Sequence, residues 1–450
     1  MTTTIPATFA GHQYLSMHAL IPLVAVLPVR DENGMPKEIV YGGEARNLIT
    51  SQAERRADRT HARDRANTGE GHLAGYTMGV RTREWGRLTR NQLATTHGWD
   101  RTEAMNYARA VLTATGLKFG DKDTTRDLTQ VLLFAPQDAD HHIAALINTN
   151  RDTLTPWYAE FTHAEEAAKK PAKGRKKKTD PDETPEATDS KETEETKFPP
   201  LPGDLRAQVL TALAPRDAID IALYGRFLAE IADSPNVDGA IQTAHTFTVH
   251  AAEQTDDFYA AADDAKLIRK ENATALDYLD AADNAGAGMT GYQALISGVF
   301  YRHTVLDRRK LRLNLAAAGM APETCETAAQ AAEKELIDAF VNAMPQAKRN
   351  STASTGALPS ITLVFDGKRP FNYSGAFCKA IDEKVDGTAT IAAAKRLLAH
   401  HRLITSRRDD ANPGRILSYD LDIDELIDEL TQAGKLTGIP VNRIDELPAN

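Results

Sequence analysis

The stretch YLSMHALI, residues 14–21, decides the fold assignment. Its odd-numbered positions are all apolar, and this period of two is typical of a β-strand. The period returns over residues 241–249, and short apolar runs predict further strands at 297–302 and 360–365. Helical patterns separate these strands: they begin near residue 51, fill most of 66–160, resume at 205 and cover about 322–344. The sequence therefore predicts an α+β fold in which long excursions leave one sheet.

Composition excludes several classes of protein. Of 450 residues, 42% are hydrophobic and 26% charged, which is typical of globular chains. The formal charge of −10 attracts no polyanion as a whole, so any nucleic-acid site must be local. Two cysteines are too few for a disulfide scaffold or a four-thiolate zinc site. The most apolar run, residues 20–29, is about half of the roughly 20 residues that a spanning helix needs, and no signal peptide is evident, so we expect a cytoplasmic protein without a membrane anchor.

Two segments interrupt the regular patterns. Residues 165–200 contain lysines and then Asp, Glu, Thr and Pro with hardly an apolar side chain, which predicts a disordered charged insertion. Residues 253–290 form an acidic insertion that carries a few aromatic side chains. Both segments are candidates for contacts outside the sheet.

Signatures of catalysis are missing. The sequence has no phosphate-binding Walker loop, zinc-protease helix motif, nucleophile elbow or dinucleotide-binding glycine motif, so we expect no enzyme and no cofactor. The pairs His141–His142 and His400–His401 do not suit one metal ion, because neighbouring helical side chains point about 100° apart. They are interpreted as surface or helix-end histidines.

Several blocks together resemble one known family. They lie at residues 17–32, 41–43, 49–56, 220–226, 238–250, 258–264, 297–302 and 345–348. Their number, order and spacing resemble CasC, the family of backbone subunits of the type I-E CRISPR Cascade complex, within the RAMP superfamily. The resemblance implies a right-hand shape: a modified RRM-like (ferredoxin-like) palm, helical fingers and an inserted thumb. The implied parts are palm 1–56, fingers 57–215, palm 216–252, thumb 253–297, and palm with a C-terminal extension 298–450.

The resemblance also implies a function in antiviral defence. Such subunits stack head to tail along a CRISPR RNA, kink it at regular intervals and present it for pairing with target DNA. The implied partners are the CRISPR RNA, target DNA, further copies of the chain, and the other Cascade subunits: the large, the small, the CasD-like and the CasE-like proteins.

RNA-binding residues follow from the matching blocks. The resemblance implies phosphate contacts by Arg30, Lys37, Thr50, Gln52, Arg55, Arg56, Arg59 and, with Arg349 beside it, Lys348. These side chains supply charge-assisted and neutral hydrogen bonds that hold the backbone without reading bases. From the residues alone, arginines next to Glu54 and Asp58 would instead form solvated ion pairs on a helix surface. Glu44, Glu54 and Asp58 also make this chain less basic here than the family pattern.

An RNA-kinking wedge is implied at Phe227, Phe258, Tyr259 and Met289. Aromatic and thioether side chains stack on bases whatever their identity. Without the resemblance, an isolated Phe-Tyr pair is more often part of a core. Residues 266–283 are inserted relative to the family's thumb.

Double-stranded DNA contacts are implied for a lysine-rich stretch: Lys169, Lys170, Lys173, Arg175, Lys176, Lys177 and Lys178. Pro171 and Gly174 argue against a regular helix there, and a solubilising linker is the alternative.

Three hypotheses stay open. A metal-dependent RNA-cleaving subunit, as in type III complexes, would use Asp31 in its early loop. A modified or transposon-linked Cascade would use 165–200 for an extra partner. Finally, the acidic thumb, with Asp256, Asp257 and Asp263, would meet a basic surface of a neighbouring copy.

Overall fold

A computed structural model describes residues 12–169, 198–228, 236–262, 264, 268 and 287–448. The described chain forms two compact units. The first takes in the chain up to Gly75, then Gly239–Ala316, and continues from Ala321; the second comprises Tyr76–Asp238 with Ala317–Met320. The five-part division into palm, fingers and thumb stays a prediction.

Twelve strands lie in the described part of the chain. They are β1 Tyr14–Val26, β2 Glu38–Tyr41, β3 Glu44–Ile49, β4 Gly79–Thr82, β5 Leu133–Pro136, β6 Ile241–Thr243, β7 Thr246–Thr248, β8 Glu253–Ala262, β9 Ala287–Asp307, β10 Ile361–Gly367, β11 Arg415–Ser418 and β12 Ile439–Val441.

Thirteen α-helices accompany them, again counting the described residues alone. They are α1 Ser51–Asn67, α2 Trp85–His97, α3 Arg101–Ala114, α4 Ala139–Thr149, α5 Arg151–Lys169, α6 Leu205–Leu213, α7 Ile219–Tyr224, α8 Arg308–Ala317, α9 Pro322–Asn342, α10 Arg349–Thr352, α11 Glu383–Asp386, α12 Ala389–Arg407 and α13 Leu421–Gln432. None of these helices is long and apolar enough to cross a membrane.

One large sheet organises the first unit, and the predicted α+β fold is confirmed. The strand order is β12-β11-β10-β1-β9-β7-β3-β2, with β6 and β8 also paired to β9. Strand β1 lies at the centre, antiparallel to both β10 and β9. Residues 15–21 of β1 are buried on both faces, so their period of two marks a central strand rather than a half-exposed one.

Each face of β1 meets a different set of helices. His18 and Leu20 face the core that α12 covers, together with Tyr301 of β9. The opposite face of β9 carries Arg302, whose guanidinium lies 4.8 Å from the ring centroid of Phe340 on α9. Helix α1 packs against α9 on this second face. The helix that carries half of the predicted RNA-binding residues is therefore fixed to the centre of the sheet.

Strand β9 is unusually long and belongs to two environments. Its first half pairs with β8 in a ribbon, from Ala262↔Ala287 to Glu253↔Ser297, and β1 joins only at the end of it, through Val26↔Ile296. Its second half pairs with β1 inside the sheet. The change occurs at Gly298, where φ is +151° and an added Cβ would lie 2.5 Å from His250 Nε2. Glycine is needed there because no other side chain fits against that imidazole.

The predicted single strand over 241–249 is wrong in detail. It forms two short strands, β6 and β7, separated by Ala244 and His245. His245 lies in this break, outside both strands. Its Nδ1 accepts a hydrogen bond from the Ser51 amide of α1 at 2.9 Å.

Helices dominate the second unit. Helices α2 to α6 pack with the β4–β5 pair around a core that includes Trp85, Trp99 and Trp157, and α7 joins a separate small cluster through Ile221. The predicted disordered insertion begins too early, because α5 continues to Lys169 and Glu165 on it pairs with Arg109. The predicted end is also too late, since Phe198 stacks on Phe161 at 4.7 Å. Apolar contacts with this core order both flanks; residues 170–197 lie outside the described residues.

Candidate nucleic-acid interface

The loop after β1 brings two predicted RNA contacts together. Arg30 forms an antiparallel bridge with Pro36, so Arg30 and Lys37 lie at the neck of one closed loop. The Leu48 amide donates to the Lys37 carbonyl at 2.8 Å, which holds this neck beside β3, two residues before Thr50. Arg30 is exposed and Lys37 half-buried. Both cations therefore lie near the start of α1.

Asp31 has a structural role in the same loop. Its Oδ1 accepts hydrogen bonds from the amides of Asn33 at 2.9 Å and Met35 at 2.8 Å, and Gly34 adopts a φ of +85°. A carboxylate that binds two amides of its own turn stabilises the turn. The arrangement supports a loop-forming role for Asp31 rather than metal binding.

The N-terminus of α1 faces the same region. Thr50 is the N-cap residue, but its side chain makes no cap hydrogen bond, and His245 accepts from Ser51 instead. The Thr50 hydroxyl is therefore not used by the helix. A helix N-terminus carries a partial positive charge, which favours an anion such as a phosphate. Thr50 and the exposed Gln52 suit the predicted phosphate contact.

The exposed side of α1 forms a polar and basic stripe. A helical advance of about 100° per residue places Gln52, Arg56, Arg59 and Arg63 within roughly 60° of one another. Gln52 and Arg56 are exposed, whereas Arg59 and Arg63 are half-buried. Arg55 lies beside this stripe, and its Nη1 donates to the Ile241 carbonyl at 2.8 Å, which fastens α1 to β6. Of the predicted arginines on α1, Arg56 is the most exposed.

The acidic residues of α1 lie on its buried side. Arg302 of β9 places Nη2 at 2.9 Å from Glu54 Oε2 and at 2.5 Å from Asp58 Oδ1, and all three side chains are almost fully buried. Its Nη1 donates to the carbonyls of Phe340 at 2.8 Å and Ala343 at 3.0 Å. The expectation of solvated pairs with neighbouring arginines is therefore wrong for Glu54 and Asp58, because the sheet supplies their cation.

In this buried group, carboxyl groups outnumber cations. One guanidinium faces two carboxylates, and burial raises the pKa of Asp58 to about 7, with the nearby Arg302 opposing the shift. Burial also raises the pKa of Glu54. Removing Arg302 would leave two carboxyl groups without their cation in the interior. This role of Arg302 was missed by the sequence analysis, because an arginine in a strand carries no burial signal.

Two other arginines, Arg46 of β3 and Arg65 of α1, also have structural roles. Arg46 is buried and donates to backbone carbonyls that include Thr248 at 2.9 Å. Arg65 Nη1 binds Asp338 at 2.6 Å, and its Nε lies 3.3 Å from Glu335. His61, Glu335 and Asp338 could together surround a cation, but the guanidinium of Arg65 already fills that role. This cluster carries no metal assignment.

Lys348 lies away from the basic stripe. It is exposed in the turn after α9, with a φ of +54°, and its carbonyl accepts from the hydroxyls of Ser351 and Thr352. Gln346, in the same turn, lines a cavity of about 340 Å³ with His61 and Arg65 of α1. Those two side chains point about 180° and 140° from Gln52, so Lys348 lies on the other side of α1.

The three predicted wedge residues of the ribbon, Phe258, Tyr259 and Met289, do not all lie on one face. Phe227 belongs to the second unit and is 80% exposed. In the ribbon, the cross-strand pairs Phe258↔Tyr292 and Ala261↔Met289 are separated by three positions along β8, so they lie on opposite faces. Tyr259 shares the face of Met289.

One ribbon residue was missed by the sequence analysis. Tyr292 is 79% exposed and its ring centroid lies 5.1 Å from that of Phe258, which is 55% exposed. The signal was present as a period of two through 290, 292, 294 and 296, and it was missed because the strand was placed from residue 297 onward.

The block at residues 220–226 has a structural explanation. Asp220 Oδ1 accepts from the Gly79 amide at 2.7 Å, and Arg226 Nη1 donates to the Phe134 carbonyl at 3.1 Å. Both contacts tie α7 and the following turn to the β4–β5 pair. Phe227 comes directly after this anchor.

The predicted DNA contacts fall almost entirely outside the described residues. Lys169 is the last residue of α5, and Lys170, Lys173, Arg175 and 176–178 lie beyond it, outside the described chain. Their role stays a prediction.

The family of the chain follows from comparison with known proteins. The model of one family, described as CT1975-like protein, matches residues 15–429. The chain belongs to the CT1975-like family. No curated protein sequence matches it.

Solved structures resemble this CT1975-like chain over nearly its whole length. A chain of a structure titled "CRISPR RNA-guided surveillance complex, pre-nicking" is 28% identical, with a TM-score of 0.69, covering 96% of this chain and 97% of that one. A chain titled "CRISPR RNA-guided surveillance complex" is 22% identical, with a TM-score of 0.62 and the same coverage. The second likeness concerns the fold alone.

Proposed function

We propose that this chain is a non-catalytic, CRISPR RNA-binding backbone subunit of a type I-E Cascade surveillance complex in antiviral defence. Several copies would follow the guide RNA head to tail, kink it at intervals and present it to target DNA. The observation that carries the proposal is the 28% identity, over nearly the full length of both chains, to a subunit of an RNA-guided surveillance complex.

The geometry of the first unit supports an RNA backbone contact. Arg30 and Lys37 at the loop neck, the N-terminus of α1 and the exposed Arg56 form one positively charged region. Its donors are guanidinium, ammonium, hydroxyl and amide groups, which suit phosphates and give no base specificity. Sequence would then be read by base pairing, as in other RNA-guided complexes. Tyr259 and Met289, on one ribbon face, are the residues we propose as the wedge.

Co-expression with the neighbouring operon proteins and a matching guide transcript tests the proposal. We expect a large particle with several copies of the chain on each discrete RNA, together with large, small, CasD-like and CasE-like subunits. Mass and absorbance ratio after size exclusion report the composition. A nucleic-acid-free monomer or dimer would contradict the proposal.

Charge reversal locates the contact. The double variant R30E/R56E should weaken RNA binding and reduce its salt dependence, because each lost phosphate contact lowers the slope of log K against log salt by about 0.7–0.9. The control R309E/K334E makes the same charge change at two exposed positions of α8 and α9. If both variants reduced the slope equally, the assigned region would be wrong.

A further inference from the structure

The ribbon has a second exposed face that the wedge does not use. Phe258 and Tyr292 form a cross-strand aromatic pair there, and both rings are more than half exposed. Asp256 lies two residues before Phe258 on the same face and is exposed. This acidic aromatic face consists of Asp256, Phe258 and Tyr292. Large adjacent apolar groups left in water usually mark an interaction site.

A surface of the opposite character lies between α12 and α13. A groove of about 510 Å³ has an apolar floor that includes Leu398, Leu403 and Leu430. Lys395, Arg402 and Lys435 stand at its rim. We call this the basic groove.

The three cations at the rim of the basic groove differ from nearby arginines in their partners. Among the described residues, none of the three forms an ion pair, whereas nearby Arg396 and Arg408 bind Asp386 and Asp410. Two of the cations share one stripe of α12, because Lys395 and Arg402 lie seven residues apart, with Leu403 beside them. Lys435 comes from the segment after α13. The apolar floor is also open, with Leu403 41% exposed.

The two surfaces are complementary and do not cover each other within one chain. Both belong to the first unit, yet the aromatic pair and Leu403 are exposed at the same time. One carries carboxylate and aromatic groups; the other carries three cations around an apolar floor. Opposite charges at a rim give register and orientation, while the apolar centre supplies most of the binding free energy.

We propose that the acidic aromatic face of one copy binds the basic groove of the next copy of this chain. The inference rests on the proposed function, because it supplies a contact between successive subunits. Since the two surfaces differ, the contact is heterologous and adds copies in one direction without closing a symmetric dimer. The contact specifies which residues take part in the predicted interaction between the acidic thumb of one copy and a basic surface of its neighbour.

A charge swap tests this contact in the assembled particle. The variant K395E/R402E and the variant D256R should each lower the number of copies per RNA at least twofold at physiological salt, as measured by native mass spectrometry. Combining them in one chain should restore most of the loss, because the charges are then exchanged between neighbours. The control K334E/R309E should assemble like the wild type, and circular dichroism should show that all variants fold.

Cross-linking gives a second, independent readout. In a Cys378→Ser background, the pair Y292C/L403C treated with a short bismaleimide should give a ladder of RNA-bound oligomers, and neither single variant should give one beyond a dimer.

Each outcome separates the inference from the proposed function. If the wild type did not assemble on RNA, the proposed function would fail. If the wild type assembled but K395E/R402E did so equally well, only the inference would fail. The same holds if D256R did not rescue K395E/R402E and Y292C/L403C gave no ladder. Loss of RNA affinity without rescue by D256R would mean that the groove binds nucleic acid and would overturn the contact between copies.

Discussion

The two halves of β9 show how one strand can serve two purposes. Its first half, up to Ser297, lies in a ribbon with exposed Tyr292 and Met289. Its second half, from Gly298, lies inside the sheet and places Tyr301 and Arg302 in the interior. Both halves are β-strand, so backbone conformation does not explain why one is exposed and the other buried. The difference comes from what packs on the two faces of each half. The three predictions below separate the halves by their effects on stability.

Removing Arg302 should have the largest effect. The variant R302M leaves Glu54 and Asp58 buried without their cation, and we expect the free energy of unfolding to fall by about 3–5 kcal/mol. Denaturant unfolding measures this loss. The control R309M, at an exposed neighbouring position, should change stability by less than about 0.5 kcal/mol.

A triple variant checks the cause of that loss. R302M/E54L/D58L replaces the buried charges by apolar groups and should recover most of the stability. If R302M alone were as stable as the wild type, the charges of α1 would not depend on the sheet.

Acid should weaken the buried half of β9 next. Burial lowers the pKa of His303 and of His401 to about 4, from 6.5. The unfolded chain therefore binds protons first as the pH falls, so the stability from these groups is present above pH 6.5 and is lost between pH 6.5 and 4. At pH 5 the loss is about 2 kcal/mol for each histidine.

Protonation of Asp58 has the opposite effect on stability as the pH falls, so the measurement needs a control for it. Its raised pKa of about 7 means that the folded state binds a proton before the unfolded state does, so this group favours folding as the pH falls below 7. Unfolding should therefore be compared at pH 7.5, 6 and 5 in a D58N background, with and without H303Q. If the free energy of unfolding of H303Q depended on pH as strongly as before, His303 would not be a neutral histidine in the core.

Two glycines of β9 give the smallest and most direct comparison. G298A places a Cβ against His250 at a φ of +151°, and should cost about 1–3 kcal/mol. In G291A the added Cβ meets the hydroxyl and the adjoining ring carbons of Tyr259, an exposed side chain that can move, so the effect should stay within about 0.5 kcal/mol. Thermal unfolding of the two variants provides the measurement. Equal losses would mean that the ribbon is as tightly packed as the sheet.

Sequence patterns located the main strands but not their surroundings. Residues 14–21 and 360–365 were placed correctly because apolar periodicity follows directly from the pleat. The strand over 241–249 was wrong, since a two-residue break depends on the contact of His245 with α1. His401 was taken as a helix-end residue, yet it is buried and its Nε2 lies 2.8 Å from the Pro413 carbonyl. Its partner comes from a segment that periodicity does not relate to it.

For the candidate site, too, the sequence predicted some features and missed others. The apolar periods of the sequence predicted the α+β class, and the matching blocks around Arg30 and Gln52 predicted where an RNA contact would lie. Which charges face water depends on the tertiary structure. Arg56 and Glu54 are two residues apart, but one lies on the exposed stripe of α1 and the other binds Arg302. The physical reason is that burial depends on what the sheet presents opposite each side chain, and that partner lies about 250 residues away in the chain.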